Sequence, residues 1–296
     1  MTSTTESAAA RYRGVETWPT DEIVMTIIEG QLGAIAAVQG QAGALSRAVD
    51  AAAARLERGG RLLYLGAGTS GRLAALDAAE LPPTFSWPRE RAVALMAGGP
   101  GAFTNAVEGA EDDAKAAAQE MDQLGLGADD VVIGVAASGR TPYVVGGLDH
   151  ARAKGALTIA VVNNPTSAVG RAAEIEIAAA TGAEVLAGST RLKAGTAQKA
   201  VLNTLSTAVM LRLGYVYRGR MVEMKPSNAK LRERAAEMVA HLADVTPEEA
   251  QRTLDAADQS IKLAVVMLSR DLSRAEGEAA LQRANGRLHL ALTEGA

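Results

Sequence analysis

The chain has 296 residues, 48% hydrophobic and 22% charged, a composition typical of a globular protein long enough for one large α/β domain with an appendage. A net charge of −4 argues against a general nucleic-acid or anionic-membrane partner. The absence of cysteine excludes disulfides, thiol nucleophiles and cysteine metal sites. No apolar run reaches the roughly 18 residues that span a membrane, and the N-terminus lacks a signal-peptide pattern, so we expect a cytoplasmic protein.

The N-terminal part of the chain reads as a polar arm followed by helix. Residues 1 to about 20 are polar and show no regular period. From Asp21 to Leu56 apolar residues recur at helical spacing among many alanines. The apolar stripe of such a helix needs a partner, either within its own domain or in a second subunit.

Between Gly60 and about Tyr215, short apolar strands alternate with helical segments. The strand candidates are 62–65, 92–96, 131–136, 157–162 and 175–178. This alternation predicts a parallel sheet with helices on both faces, in which ligands bind beyond the carboxyl ends of the strands. From about Met224 the chain becomes helical and charged, which predicts a small bundle over 231–242, 246–256, 259–268 and 273–284.

The first site-like segment is a glycine loop that follows the strand 62–65. Gly66, Gly68 and Gly71 permit tight backbone turns, and Thr69 and Ser70 stand where a helix N-cap is expected. A helix that begins there offers N–H groups to an anion. The glycine spacing also matches a dinucleotide fingerprint, but no acidic residue follows the next strand, which ends in 97–99 as Ala-Gly-Gly, so we disfavour that reading. The alternative interpretation, a tight turn that binds no ligand, is also consistent with the sequence.

The second segment, 129–143, repeats the design. A Val/Ile-rich strand leads to Ser138-Gly139-Arg140-Thr141, and Pro142 suits an early helix position. Hydroxyls beside N–H groups, a helix dipole and an arginine suit a phosphate monoester. An ordinary N-cap would give the same pattern alone, but two such loops in one chain favour a phosphorylated small molecule.

A third segment, 188–199, precedes a long helix that we expect Ser189 or Thr190 to cap. Lys193 and Lys199 could meet an anion, although a solvated helix face is equally consistent with them. The three histidines stand apart from these loops, and no metal-ligand spacing is present, so we expect no metal site.

Carboxylates are left as candidates for proton transfer. Glu80 precedes Pro82-Pro83, which we expect to end the helix, and an acid at a helix C-terminus is opposed by the dipole. Glu108 and Glu111 lie three residues apart, as they would on one helix face. Composition does not choose among these acids, since each could equally be a solvated surface residue.

A family resemblance covers nearly the whole chain. The runs GAGTSGRL (66–73), ELPPT (80–84), AVEGAEDD (106–113), ASGRTPY (137–143), TRLKAGTAQK (190–199), LNTLST (202–207) and NAKL (228–231) resemble the N-acetylmuramic acid 6-phosphate etherase family. Several long, unusual strings agree in order, so the match is highly specific. One departure is Ser7, because the family tends to have an asparagine after its Thr-Glu pair.

The resemblance implies a fold: a sugar-isomerase (SIS) type parallel sheet flanked by helices, in three αβα layers, with an N-terminal helical arm and a small C-terminal helical bundle. We expect an arm and helix over 1–50, a phosphosugar-binding domain over 51–223 and a helical domain over 224–296. It also implies a cytoplasmic homodimer that acts on a phosphorylated amino sugar in bacterial cell-wall recycling, without a cofactor, nucleic acid or membrane.

The resemblance further implies cleavage of the lactyl ether at C3 of N-acetylmuramic acid 6-phosphate. The family's general acid falls on Glu80 and its second catalytic glutamate on Glu111, and its phosphosugar-binding hydroxyls fall on Thr69, Ser70, Ser138 and Thr141. With their neighbours in the three loops, the expected substrate-binding residues are Gly68, Thr69, Ser70, Gly71, Ser138, Gly139, Arg140, Thr141, Ser189 and Lys193.

Two carboxylates suit this chemistry, because elimination needs one base and one acid with separated pKa values. We assign Glu111 as the base at C2 and Glu80 as the acid at the lactyl oxygen. Nine residues of helix separate Gly71 from Glu80, roughly 13 Å. Either the helix is shorter or bent, or the phosphate lies at the Ser138 loop, or a second subunit completes the pocket, and we favour the last two together. The rival functions are a phosphosugar-sensing regulator, like glucokinase regulatory protein, and an aldose–ketose isomerase.

Overall fold

The computed structural model of the protein describes residues 4–105, 107–226 and 228–293. The chain divides into two compact units. The first contains the chain up to Glu80 together with Pro88–Val209, and the second contains Leu81–Trp87 and the chain from Met210 onwards. The boundaries expected from the sequence at residues 50 and 223 stay a prediction.

A five-stranded parallel sheet lies in the first unit. Its strands are β1 (Leu62–Gly66), β2 (Ala92–Met96), β3 (Val131–Ala136), β4 (Leu157–Val162) and β5 (Ile175–Ala178), in the order β2-β1-β3-β4-β5. Every residue of β1, β3 and β4 is buried, as expected for strands covered on both faces. The predicted parallel sheet is confirmed, and β1 extends one residue further than expected.

Helices cover the sheet. They are α1 (Thr20–Gln39), α2 (Ala42–Glu57), α3 (Gly68–Phe85), α4 (Ala116–Gln123), α5 (Pro142–Ala153), α6 (Ala168–Ala172) and α7 (Lys193–Arg212). Leu63, Leu65 and Val132 pack with residues of α4, α5 and α6. Because side chains alternate along a strand, the intervening residues face the other layer, where the Tyr64 hydroxyl reaches α3. The predicted three-layer arrangement is confirmed.

The N-terminal helical region breaks at Gly40 and Gln41, and α1 and α2 are bent by 59°. No single described helix is long and apolar enough to cross a membrane. Taken together, α1 and α2 meet the criteria of length and composition, but buried core helices also meet them. α2 buries its apolar face against β3, β4 and β5. α1 leaves a row of apolar residues exposed, namely Val24, Met25, Ile28, Leu32 and Ile35.

The expectation that Pro82 and Pro83 end α3 is wrong. The helix continues through both prolines to Phe85, and the N–H of Ser86 still donates to the carbonyl of Pro82 at 2.9 Å. A proline removes its own N–H donor, but burial of Phe85 holds the last turn in place. Glu80 therefore lies inside the helix, more than one turn before its end, and not at the C-terminus.

A buried carboxylate joins β1, α3 and α7. The hydroxyl of Tyr64 donates to Asp77 at 2.9 Å, and Asn203 and Ser206 donate to its other oxygen at 2.7 and 3.2 Å. Burial raises the pKa of Asp77 above its ordinary value, although these hydrogen bonds act in the opposite direction. The cluster fixes the position of α3, and hence of the residues that α3 carries.

The second unit is mainly helical. It contains a short hairpin, β6 (Val216–Tyr217) and β7 (Arg220–Met221), and the helices α8 (Ala229–Ala243), α9 (Pro247–Ala256), α10 (Ile261–Arg270), α11 (Arg274–Arg283) and α12 (Leu288–Thr293). The predicted bundle is confirmed, with α12 as an addition. Thr246 caps α9 by accepting a hydrogen bond from the N–H of Glu249 at 3.2 Å. Lys262 is buried there, and its Nζ bonds Gly286 O at 2.6 Å and the Glu223 carboxylate.

One ion pair secures the start of β1 to the start of β3. The guanidinium of Arg61 donates to both oxygens of Asp130 at 3.0 and 2.7 Å, and the N–H groups of Arg61 and Gly127 donate at 2.9 Å each. Burial alone would raise the pKa of Asp130, but these hydrogen bonds and the nearby charge lower it below its ordinary value.

We expect Asp130→Asn to lower the free energy of unfolding at pH 7 by about 2 kcal/mol, because it removes charged hydrogen bonds from a nearly buried site. Since the folded pKa of Asp130 is lowered, its contribution is present above the unfolded pKa of about 4 and is lost as the pH falls through the folded value. Urea unfolding at pH 7 and near pH 3 measures both effects.

Asp129→Asn is the matched control. Asp129 pairs with Arg58 at 2.6 Å, but both side chains are about half exposed, so the loss should stay below about 1 kcal/mol. Equal losses for the two variants, or a loss in Asp130→Asn that persists unchanged at low pH, would contradict the assignment.

Candidate active site

The two Ser-Gly-Arg loops lie at one edge of the sheet. β1, β3 and β4 are parallel neighbours, so their carboxyl ends share an edge, and β2 ends there too. The loops after these four strands begin at Ala67, Ala97, Ala137 and Asn163. This edge is where a parallel α/β sheet binds its ligands.

The first glycine loop turns β1 directly into α3. A Cβ on Gly66 would lie 2.7 Å from the Cα of Gly71, and Gly68 has a φ of +53°. Glycine is therefore required for the close approach. Because the turn is so tight, α3 begins at Gly68, and Thr69 and Ser70 lie in its first turn. Their expected position at the N-cap is wrong.

Ser70 belongs to a buried chain of side-chain hydrogen bonds. Its hydroxyl donates to Gln198 Oε1 at 2.9 Å, Gln198 Nε2 donates to Asn163 Oδ1 at 3.1 Å, and Asn163 Nδ2 donates to the carbonyl of Ala179 at 3.0 Å. Gln198 and Asn163 are almost fully buried and were not among the residues expected from the sequence. Ser70 uses its one hydroxyl hydrogen within this chain, and its role in substrate binding stays a prediction.

A cavity of about 420 Å³ opens beside the first loop. Its lining comes from the turn after β1, the end of β2 and the segment that follows. The lining residues are Ala67, Gly68, Thr69, Arg72, Met96, Ala97, Ala102, Val107, Glu108, Gly109 and Glu111. Two glutamates and one arginine thus line a small cavity beside the N-terminus of α3.

The structure places Glu111 in this cavity and Glu80 outside it. Glu111 lies in the 3₁₀ turn Ala110–Asp112, and Glu108 stands just before Gly109, whose φ is +73°. This left-handed glycine bends the chain, so the two glutamates do not share one helix face, contrary to what their spacing suggests. They nevertheless line the same cavity. Glu80 is an exposed residue of α3 and does not line it.

The second loop, Ser138–Thr141, is shaped by Gly139. Its φ is +68°, and a Cβ there would lie 2.3 Å from Ser167 Oγ, so the loop sits against α6. Ser138 Oγ accepts a hydrogen bond from the N–H of Arg140 at 3.3 Å, and Thr141 precedes α5 without bonding to it through its side chain. Arg140 is exposed. These residues lie together, but they do not line the cavity of the first loop.

Asn164 links the N-terminal arm to the residue before the second loop. The N–H and hydroxyl of Thr4 donate to Asn164 Oδ1 at 2.9 and 2.8 Å. Asn164 Nδ2 in turn donates to Thr5 Oγ1 at 3.0 Å and to the carbonyl of Ala137 at 2.8 Å. Thr5 is fully buried. The arm therefore supports the residue that precedes Ser138, a contact that sequence patterns do not reveal because it joins distant segments.

The third segment is held by internal contacts. Glu184 is 1% exposed and accepts from the N–H groups of Lys193 and Ala194 at 3.1 and 2.9 Å, so this carboxylate caps α7 instead of Ser189 or Thr190. The Nζ of Lys193 donates to the carbonyl of Ala183. A side-chain anion thus already lies at this helix N-terminus, and binding of a substrate by Ser189 or Lys193 stays a prediction.

The site therefore offers paired carboxylates, a guanidinium and several hydroxyl and N–H donors. Within residues 4–105, 107–226 and 228–293, no group of three or more His, Asp or Glu side chains is arranged to hold a metal ion. The guanidinium and the hydroxyl and N–H donors can bind an anionic sugar, and the paired carboxylates can move protons at its carbon atoms.

Comparison with family models and with solved structures supports the fold. Residues 44–152 match the N-terminal SIS domain of glucokinase regulatory protein, and residues 111–208 match the SIS domain. A protein from Bacteroides fragilis, assigned as a phosphosugar isomerase of capsule formation, superimposes with a TM-score of 0.51 at 21% identity. The match covers 67% of this chain and 94% of that one.

Comparison with curated proteins shows the family. A relative from Deinococcus radiodurans is 48% identical over 98% of this chain and 95% of its own. A relative from Cronobacter sakazakii is 52% identical over 84% of each chain. Both are named N-acetylmuramic acid 6-phosphate etherase. The chain belongs to the N-acetylmuramic acid 6-phosphate etherase family.

Proposed function

We propose that this chain is a carbon–oxygen lyase that converts N-acetylmuramic acid 6-phosphate and water into N-acetylglucosamine 6-phosphate and D-lactate. The observation that carries the proposal is 48% identity, across 98% of the chain, with a relative named N-acetylmuramic acid 6-phosphate etherase. The cavity beside the first glycine loop, with its two carboxylates, supplies groups suited to the chemistry.

The reaction is an elimination followed by hydration. Opening of the sugar ring exposes the C1 aldehyde, which makes the C2 proton acidic. A carboxylate takes this proton. The bond between C3 and the ether oxygen then breaks as that oxygen gains a proton, so lactate departs and the sugar becomes an α,β-unsaturated aldehyde. Water then adds at C3 and a proton returns to C2. Each proton transfer needs a positioned acid or base.

Glu111 is the base at C2 in this proposal. It lies in the cavity with Thr69 and close in sequence to Gly109, so its carboxylate is held at the carboxyl edge of the sheet. The phosphate is bound at the second loop, where Ser138, Thr141 and the start of α5 offer neutral donors and Arg140 offers charge. A sugar that bridges the two loops brings its C2 and C3 toward Glu111.

Glu80 is the acid at the lactyl oxygen, and a second subunit supplies it. Glu80 is exposed and absent from the cavity lining, which supports its supply by a neighbouring subunit. The exposed apolar row on α1 supports a homodimer, because such a row gains free energy when it is covered. The proposed pocket is therefore shared across the dimer interface.

The reaction places the enzyme in cytoplasmic recycling of cell-wall amino sugars, since N-acetylmuramic acid is a peptidoglycan sugar. The residues assigned above suffice for the proton transfers, so the proposal includes no cofactor. Release of D-lactate separates this function from a regulator or an isomerase, because neither of these breaks the ether bond.

We expect substitution of the two glutamates to block different steps of the reaction. Glu80→Gln should still exchange the C2 proton with solvent deuterium but release D-lactate roughly 10²–10⁴-fold more slowly, because only the leaving oxygen lacks its acid. Glu111→Gln should lose both exchange and lactate release. Nuclear magnetic resonance of the sugar in D₂O and a coupled lactate assay measure the two steps.

Glu90→Gln is the control, because Glu90 precedes β2 at the opposite edge of the sheet and is exposed. It should retain wild-type rates. If Glu108→Gln abolishes exchange while Glu111→Gln keeps it, the base is the other cavity carboxylate and the assignment of Glu111 is wrong.

A mixed dimer tests the shared pocket. When Glu80→Gln and Glu111→Gln subunits carry different tags and are purified through both, one of the two pockets contains both intact glutamates if Glu80 crosses the interface. The mixed dimer should then regain about half of the wild-type lactate release, whereas each parent is nearly inactive. A mixed dimer as inactive as its parents would place both acids in one subunit.

A further inference from the structure

Among the described residues, Arg72 is the one basic residue that lines the cavity beside the first glycine loop. It lies in the first turns of α3, and its Nε donates to the carbonyl of Phe103 at 3.0 Å. This hydrogen bond attaches the guanidinium to the 3₁₀ turn Pro100–Phe103, which forms another part of the wall. The side chain is thus positioned before any ligand arrives.

The rest of the guanidinium has no acceptor among the described residues. Arg72 forms no ion pair there, although Glu108 and Glu111 line the same cavity. The basic residues of the first unit that pair with a carboxylate are found elsewhere, as in Arg61–Asp130. An arginine that lines a cavity without an ion-pair partner is suited to a carboxylate, since its planar fork matches two oxygens.

The substrate of the proposed reaction, on which this inference rests, carries two anions. One is the phosphate at C6. The other is the carboxylate of the lactyl group, which a single carbon separates from the ether oxygen at C3. Whatever binds this carboxylate therefore also fixes the ether oxygen close to the acid and base that break its bond.

We propose that Arg72 binds the lactyl carboxylate and selects sugars that carry it. Glu111 and Arg72 share one cavity, so the carboxylate is held beside the base that acts on C2. Arg72 also offsets the repulsion that Glu108 and Glu111 exert on an entering acid. A phosphate dianion would be repelled more strongly by the same two glutamates, and the second loop offers it neutral donors.

The test compares two ligands that differ in the lactyl group. In the Glu111→Gln background, calorimetry measures the Kd of N-acetylmuramic acid 6-phosphate and of N-acetylglucosamine 6-phosphate, with and without Arg72→Gln. We expect the first Kd to rise roughly 10- to 100-fold, as for loss of charged hydrogen bonds, while the second stays within about twofold. Retained binding of the second ligand also shows that the site is folded.

Two further variants sharpen the result. Arg72→Lys keeps the charge but not the planar fork, so it should weaken the lactyl ligand less than Arg72→Gln does. Arg140→Gln is the same change in the second Ser-Gly-Arg loop and should weaken both ligands by similar factors.

An equal rise in both Kd values for Arg72→Gln would overturn the proposal, because Arg72 would then bind the phosphate or shape the loop. An unchanged Kd for the lactyl ligand would overturn it too. Failure of the proposed reaction is recognised separately, since the wild-type enzyme would then release no D-lactate while the two affinities remain measurable.

Discussion

The close approach of Gly66 to Gly71 is the constraint on which the first loop depends. Because neither position has a side chain, α3 begins within two residues of the end of β1. The tight turn carries Thr69 and Arg72 to the carboxyl edge of the sheet, where they line the cavity. A larger residue at Gly66 would push α3 away, and the cavity would lose one of its walls.

Buried polar groups hold the elements around this turn. Gln198 and Asn163 connect Ser70 with the ends of β4 and β5, and Asp77 fixes α3 to β1 and α7. Such groups are costly to bury unless every partner is in place, so they allow few alternative arrangements. Rigid placement matters for proton transfer, which depends on hydrogen-bond distances between the acid or base and the sugar.

The charges at the carboxyl edge are divided between two loops. The cavity beside the first loop combines two glutamates with one arginine, whereas the second loop offers hydroxyls, N–H groups and an exposed arginine. A third potential anion site, at the start of α7, is filled by Glu184. This division of charge is consistent with the proposed ligand, whose phosphate and carboxylate are separated by the sugar carbons on which the glutamates are proposed to act.

The sequence by itself determined the parallel sheet, the alternation of strands and helices along the chain, and the two Ser-Gly-Arg loops. These features follow from local periodicity and from glycine, and family resemblance then singled out Glu80 and Glu111 among many acids. Local patterns misjudged Pro82 and Pro83, because the tertiary burial of Phe85 keeps the helix intact beyond them.

Only the tertiary structure decided which of these residues meet. It brought Arg72 and Glu111 into one cavity, left Glu80 outside it, filled the α7 N-terminus with Glu184 and joined Thr5 to Asn164 beside the second loop. Each of these facts joins segments far apart in the chain. Sequence patterns report what neighbouring residues do, whereas contacts between distant segments are set by how helices and strands pack over the sheet.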